Sequence, residues 1–199
     1  MLASASPRRA ELLRQVGLTF TVWAGASEDE TRGVLPAGAG GPGWTLDAVR
    51  ARAREAARGK AQPAAAAQPD AVVIAADTVV TVDGVVLGKP QTAREAEEML
   101  RRLSGRTHHV ATGVVVAHGR RAITLADDST TAVRFRALTD RDILRYVASG
   151  EPMDKAGAYG IQGRAALFVE RLEGDYFAVV GLPLARLARM LESVGVPTI

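Results

Sequence analysis

The sequence predicts an α/β fold built on a mixed β-sheet with helices packed against it. Three observations carry that prediction. Runs rich in valine, isoleucine and threonine at residues 71–82, 113–118 and 130–135 have strand composition. Segments 92–105 and 139–150 instead repeat apolar residues at helical spacing, behind a threonine and ahead of a glycine. Strand pairs mixed with single helices, without a regular strand–helix alternation, favour a mixed sheet.

The elements follow in order. LASASPRRAELLRQVG reads as a short strand or loop entering a helix, with Ser6 as N-cap, Pro7 at the first helical position and Gly17 as the stop. Leu12, Leu13 and Val16 form its apolar stripe. TFTVWAG is a strand candidate. Residues 26–44 are acidic, then rich in glycine and proline, and read as a loop, whose glycines from Gly38 to Gly43 suit closure over a ligand. Residues 45–60 form an Ala/Arg helix behind Thr45, and AQPAAAAQPD reads as a linker. AVVIAADTVVTVDGVVL is a strand and hairpin turning at Asp83-Gly84. TAREAEEMLRRLSG is an amphipathic helix with a Thr92/Glu95 capping box. Residues 108–138 supply two or three strands, 139–150 a capped helix, and the glycine-punctuated 156–181 further strands. LPLARLARMLESVG closes the chain as a helix.

Composition narrows the function. The 199 residues suffice for a sizeable core, and 47% hydrophobic with 24% charged residues is ordinary for a globular protein. One domain spanning residues 1–199 is the simplest division. With no cysteine there is neither a disulfide framework nor a thiolate metal site. No secretory leader pattern and no apolar run of about 18 residues is present, so the expected location is the cytoplasm, away from membranes. A net charge of +3 without a basic block, and only 5% aromatic residues, argue against a nucleic-acid partner. Of the 25 basic residues only Lys60, Lys89 and Lys155 are lysines. In so arginine-rich a chain, a lysine marks places that want a compact ammonium.

Several stretches can carry chemistry. SASPRR sets Ser4, Ser6, Arg8 and Arg9 at a helix N-terminus, where free N–H groups and the helix dipole favour an anion and arginine can grip phosphate. An ordinary cap with solvated arginines is the alternative. Asp77 interrupts an apolar strand, which is costly unless the carboxylate is paired or bound to a cation. It can equally cap a turn or hold an arginine. Lys89 lies between Gly88 and Pro90, a rigid setting that can aim its ammonium or simply place it at the surface. Around Lys155 and Gln162, glycines at 157, 160 and 163 permit close approach of a ligand, or make a plain hairpin. His108, His109 and His118 have no metal-ligand spacing and read as structural.

In order, LASASPRRAELLRQVG, ASEDE, AADTVV with VLGKP, LRRLSGRTH, YVASGEPMDKAGAYGIQG and VVGLPL resemble the Maf family of nucleotide pyrophosphatases over nearly the whole chain. The resemblance implies an elongated α/β sheet, similar to that of inosine triphosphate pyrophosphatases, with two lobes around a central substrate cleft. It implies hydrolysis of nucleoside triphosphates to monophosphate and pyrophosphate with a divalent cation, Mg²⁺ or Mn²⁺, and a homodimer. Asp77 matches the catalytic carboxylate and a metal ligand. Glu28 matches the acidic loop residue that acts with it, with Asp29 and Glu30 as alternatives. Ser4, Ser6, Arg8 and Arg9 match the phosphate-binding opening, and Lys89 and Lys155 the lysines.

Arg8, Thr78 and Gln162 resemble the members that act on dTTP and UTP, and a glutamine amide suits the O4/N3–H edge of uracil or thymine. The alternatives are 7-methyl-GTP, a broader substrate range, or a non-catalytic regulator of septum formation. Removal of non-canonical pyrimidine nucleotides is an expected purpose. Two departures stand out: Ala56 falls where the family carries a helix lysine, and only Met1 and Leu2 precede Ala3 where a longer first strand is usual.

Overall fold

The computed structural model of the protein describes residues 1–25, 34–35 and 43–198. The acidic loop, with Glu28, Asp29 and Glu30, and most of the glycine-rich segment lie outside them. Helix α1 (Pro7–Gln15) is followed by β1 (Val34–Leu35), α2 (Leu46–Ala67), β2 (Val72–Val82) and β3 (Val85–Leu87). Then come α3 (Ala93–Leu103), β4 (Thr107–His118), β5 (Ile123–Phe135) and α4 (Asp140–Val147). Three short 3₁₀ turns, Glu151–Asp154, Ala156–Ala158 and Arg164–Phe168, lead to β6 (Val169–Glu173), α5 (Tyr176–Val180) and α6 (Leu184–Ser193).

The strands form one six-stranded sheet, ordered β1-β3-β2-β4-β5-β6 and antiparallel at each named pairing. Among the described residues its parallel component is confined to Leu2, which bridges Val22 and Ile74. The expected first strand, and the TFTVWAG strand, are thus reduced to single bridges. Asp83 and Gly84 have φ of 50° and 73°, the positive values that a type I′ hairpin turn requires.

One property of β2 positions everything else. Its residues pair with β4 from Val72 to Thr81, but with β3 only from Val80 to Val82. On that second edge the next contact is the Leu2 bridge at Ile74. Among the described residues none pairs with 75–79 on that edge, so they lie on a strand that is internal to the sheet yet open along one side.

The two faces of the sheet are packed differently. One carries the main core, where Leu12, Leu13, Met99, Leu100, Phe135 and Leu187 are buried around α1, α3 and α6. The other is covered by α2, whose Ala53, Ala57, Ala61 and Ala64 are fully buried and recur at helical spacing. Small side chains let this helix approach closely. A Cβ on Gly113 of β4 would stand 2.4 Å from the Ala53 backbone.

Three segments depart from the sequence reading. AQPAAAA continues α2 instead of forming a linker. Pro63 faces solvent there, so the carbonyl of Gly59, deprived of its helical donor, is on the exposed side. Residues 156–181 hold mainly 3₁₀ turns and α5, with β6 as their one strand. Glycines at φ of 70° and 131° break the extended pattern at 157 and 174. In α3, Thr92 caps the Glu95 amide, but the Glu95 carboxylate reaches past it to the Gln91 amide at 2.7 Å. Val16, assigned to the apolar stripe of α1, is 41% exposed.

His108 is part of the core. Its Nε2 lies 2.8 Å from the Tyr159 hydroxyl, and its ring packs edge-on against Phe135 at 4.9 Å. Burial, aided by the neighbouring His109, lowers its pKa from 6.5 to about 3. The unfolded residue takes up a proton below pH ~6.5, which the folded ring refuses until far lower pH. This contribution to stability is complete above that value and declines as pH falls from 6.5 toward about 3. The slope reaches at most about 1.4 kcal/mol per pH unit. Urea unfolding across the window should show it, and His108→Gln should flatten it. Gly113→Ala should cost about 1–3 kcal/mol in the same assay, because the added methyl must force the α2 backbone away from the sheet.

Candidate functional site

The open edge of β2 becomes the floor of a cleft of about 540 Å³. Chain leaves the floor on both sides, through SASPRR into α1 and through LGKP after β3. The 3₁₀ turns after α4 form the facing wall, tied in by the Gly157 amide, which donates to the Gly88 carbonyl at 3.1 Å.

Asp77 and Thr78, adjacent on β2, point to opposite faces of the sheet. Asp77 turns toward α2, where Lys60 donates to its Oδ1 at 2.7 Å. Both side chains are nearly buried, at 9% exposure for Lys60 and 16% for Asp77. The family's helix lysine was assigned to position 56 from the sequence, and Ala56 supplies no cation. Lys60, one helical turn farther on, does. Its signal was visible as one of only three lysines, all of which line this cleft.

Thr78 turns toward α1 and α5. The Thr112 hydroxyl donates to the Ala178 carbonyl at 2.7 Å and lies 2.9 Å from the Thr78 hydroxyl. Since Thr112 has spent its one proton, Thr78 must donate to it. Thr78 is then left to accept from Arg9 Nη2, at 3.3 Å. Arg9 is held further by the Gly181 carbonyl and the Ser4 hydroxyl, both at 2.9 Å. Ser4 itself is 2% exposed and sits behind Arg9, outside the cleft lining, whereas Ser6 lines it. Ser6 occupies the N-cap position of α1 without a side-chain capping bond.

On the facing wall, Arg8 pairs with Asp154 at 2.9 Å, and Lys155 donates to the other Asp154 oxygen at 2.6 Å and to the Glu151 carbonyl at 2.7 Å. Burial pulls the Asp154 carboxyl upward, but the hydrogen bonds from Lys155 and Arg8 outweigh it, and the group titrates below its ordinary value. A Cβ on Gly160 would meet the Lys155 stem at 2.6 Å, so this glycine makes room for the lysine. Lys89 and Gln162 also line the cleft, Gln162 exposed at its mouth. Glu151, Asp154 and Thr112 escaped the sequence reading, because their contacts with Arg164, Arg8 and Ala178 join residues well separated in the chain.

The lining thus joins five cations, Arg8, Arg9, Lys60, Lys89 and Lys155, to three carboxylates, Asp77, Glu151 and Asp154. That balance suits a small polyanion. Among the described residues no group of three or more acidic or histidine side chains is gathered for a metal. A hard cation that takes one or two protein carboxylates plus substrate phosphates fits Asp77 without such a cage.

The Thr112 link is testable on the fold alone. Thr112→Val keeps the shape but leaves Thr78 and the Ala178 carbonyl without their partner, and should cost about 1–3 kcal/mol in chemical denaturation. Thr112→Ser, which retains the hydroxyl, should recover most of that loss.

Comparison with known proteins places this arrangement. The family model described as Maf-like protein matches residues 1–194. A protein of Moorella thermoacetica called dTTP/UTP pyrophosphatase is 48% identical over 98% of this chain and 95% of its own. Proteins of that name from Symbiobacterium thermophilum and Bacillus pumilus are 47% and 45% identical, covering 99% and 98% of this chain and 94% and 96% of theirs. The cleft on the open edge of β2 is therefore that of a family member: the chain belongs to the Maf-like proteins.

Proposed function

We propose that the protein is a nucleoside triphosphate pyrophosphatase that hydrolyses dTTP and UTP to the monophosphate and pyrophosphate. The observation that carries the proposal is the Asp77 carboxylate on the cleft floor, in a lining that also holds the chain's three lysines with Arg8 and Arg9. Relatives named for this activity, similar over almost their entire length, support it.

In this reading water adds across the anhydride between the α- and β-phosphates, so the α-phosphorus gains the hydroxyl oxygen and pyrophosphate departs. Asp77 accepts a hydrogen bond from the water and orients it, while Lys60, donating to its other side, fixes the carboxylate's rotamer. Arg8, Arg9, Lys89 and Lys155 hold the phosphates and offset charge that develops on the leaving group. Ser6 and the N-terminus of α1 add donors on the same side, and Ser4 acts through Arg9. Gln162 reads the O4/N3–H edge of the base. Thr78, its proton committed to Thr112, offers a lone pair and a shape, and joins Arg8 and Gln162 in setting specificity.

A divalent cation, Mg²⁺ or Mn²⁺, would be held by Asp77 with Glu28 of the acidic loop and by the phosphates, supplying Lewis-acid stabilisation of the anhydride oxygens. The same reading takes residues 1–199 as one working domain, in a cytoplasmic homodimer whose partners are nucleotides and neither nucleic acid nor membrane. Among the described residues no helix is long and apolar enough to cross a membrane.

A panel of nucleoside triphosphates, assayed for pyrophosphate with Mg²⁺, with Mn²⁺ and with chelator, tests the proposal. dTTP and UTP should lead, and chelator should abolish release. Asp77→Asn should lower turnover by at least ~10²-fold while the unfolding midpoint stays close to that of the parent. Preference for a guanine nucleotide would overturn the pyrimidine reading, and near-parental turnover by a folded Asp77→Asn protein would overturn the role of Asp77.

A further inference from the structure

Gln162 stands on a short segment that has little regular structure of its own, between Gly160 and the 3₁₀ turn starting at Arg164. Two side chains from outside that segment hold both of its ends. The Gly160 amide donates to the Tyr146 hydroxyl at 3.1 Å, and the Arg164 amide donates to Glu151 Oε2 at 3.1 Å. The two acceptors are themselves joined, since the Tyr146 hydroxyl donates to Glu151 Oε1 at 2.9 Å. Gln162 is thus bracketed, two residues on either side, by one hydrogen-bonded pair.

The bracket is built tightly. Tyr146 is 3% exposed on α4, its ring edge-on to Phe168 at 5.2 Å. A Cβ on Gly163 would fall 2.1 Å from Glu151 Oε1 and push that carboxylate aside, so the glycine lets the segment lie against it. Burial raises the Tyr146 phenol above its ordinary range, with the Gly160 amide opposing and Glu151 adding to the rise. The hydroxyl therefore remains a donor near neutrality.

We infer that Tyr146 and Glu151 are a positioning pair that fixes residues 160–164 and so aims the Gln162 amide into the cleft, making them determinants of base selection although neither is assigned a contact with the base. This rests on the pyrimidine-nucleotide reading above. Glu151 has a second reach, because its carbonyl accepts from Lys155, but that bond is made by backbone and survives side-chain substitution.

Two measurements on the full chain test the pair. The first is amide exchange of residues 160–164 in the ligand-free protein, which needs no substrate. Tyr146→Phe and Glu151→Ala should lower protection there by about tenfold or more, and Glu151→Gln, which keeps an acceptor for Arg164, should restore it. Unchanged protection in both deficient variants overturns the bracket. The second is kcat/KM for UTP against CTP, whose base presents the reversed edge. The parental preference should shrink by about tenfold in Tyr146→Phe and Glu151→Ala, mainly through KM for UTP, and return in Glu151→Gln. An equal fall for both nucleotides, with the preference intact, would reduce the pair to a structural role and overturn the inference. A parental protein without preference for UTP would instead remove the reading beneath it, a result visible before any variant is made.

Discussion

The site depends on an incomplete strand pairing. An internal strand normally spends both edges on hydrogen bonds, and its side chains belong to two cores. Here β2 gives one edge to β4 along nearly its whole length but leaves the other open between Ile74 and Val80. Rigidity comes from the paired edge and access from the open one. Asp77 and Thr78 can therefore be anchored in the centre of the sheet and still meet a ligand. Because adjacent residues face opposite sides, one strand serves two layers. Asp77 is supported from α2 by Lys60, and Thr78 from α1 and α5 through Arg9 and Thr112.

Much of this was legible in the sequence. The hairpin at Asp83-Gly84, the threonine-capped helices and the strand content of 71–87 and 108–135 follow from local rules of turn chemistry, capping and β-propensity, and all were found. The ordered blocks shared with the Maf family pointed to Asp77, Arg8, Arg9, Lys89, Lys155 and Gln162, and the structure brings these to one cleft. Local rules failed where tertiary packing overrode them. AQPAAAA looks like a linker because proline breaks an isolated helix, yet its alanines are what the sheet face demands, and Pro63 is tolerated on the solvent side. Residues 156–181 look like strands because their apolar content is high, while positive-φ glycines turn them into tight 3₁₀ corners.

The misplaced helix lysine is instructive for a different reason. Assigning it to Ala56 relied on neighbouring letters, whereas an ion pair with Asp77 requires a reach from helix to strand. Lys60 satisfies that reach two turns beyond Ala53, on the face that touches β4 and β2. Lysine and arginine are not exchanged here. Arg9 is held by three oxygens at once, as its planar fork allows, and Lys60 sets one compact charge on one carboxylate oxygen.

The missing side chain at Gly113 has a reach beyond packing. This glycine is the cross-strand neighbour of Asp77, and α2 rests on it with backbone at van der Waals range. It thereby acts as a spacer of zero thickness that sets how far Lys60 stands from the carboxylate it serves. An added methyl here would act as a shim, lifting the helix and lengthening the ion pair from beneath. A residue that touches neither phosphate nor base thus tunes the electrostatics of the floor, and loss of function at such a position would carry the signature of a charge detuned by distance.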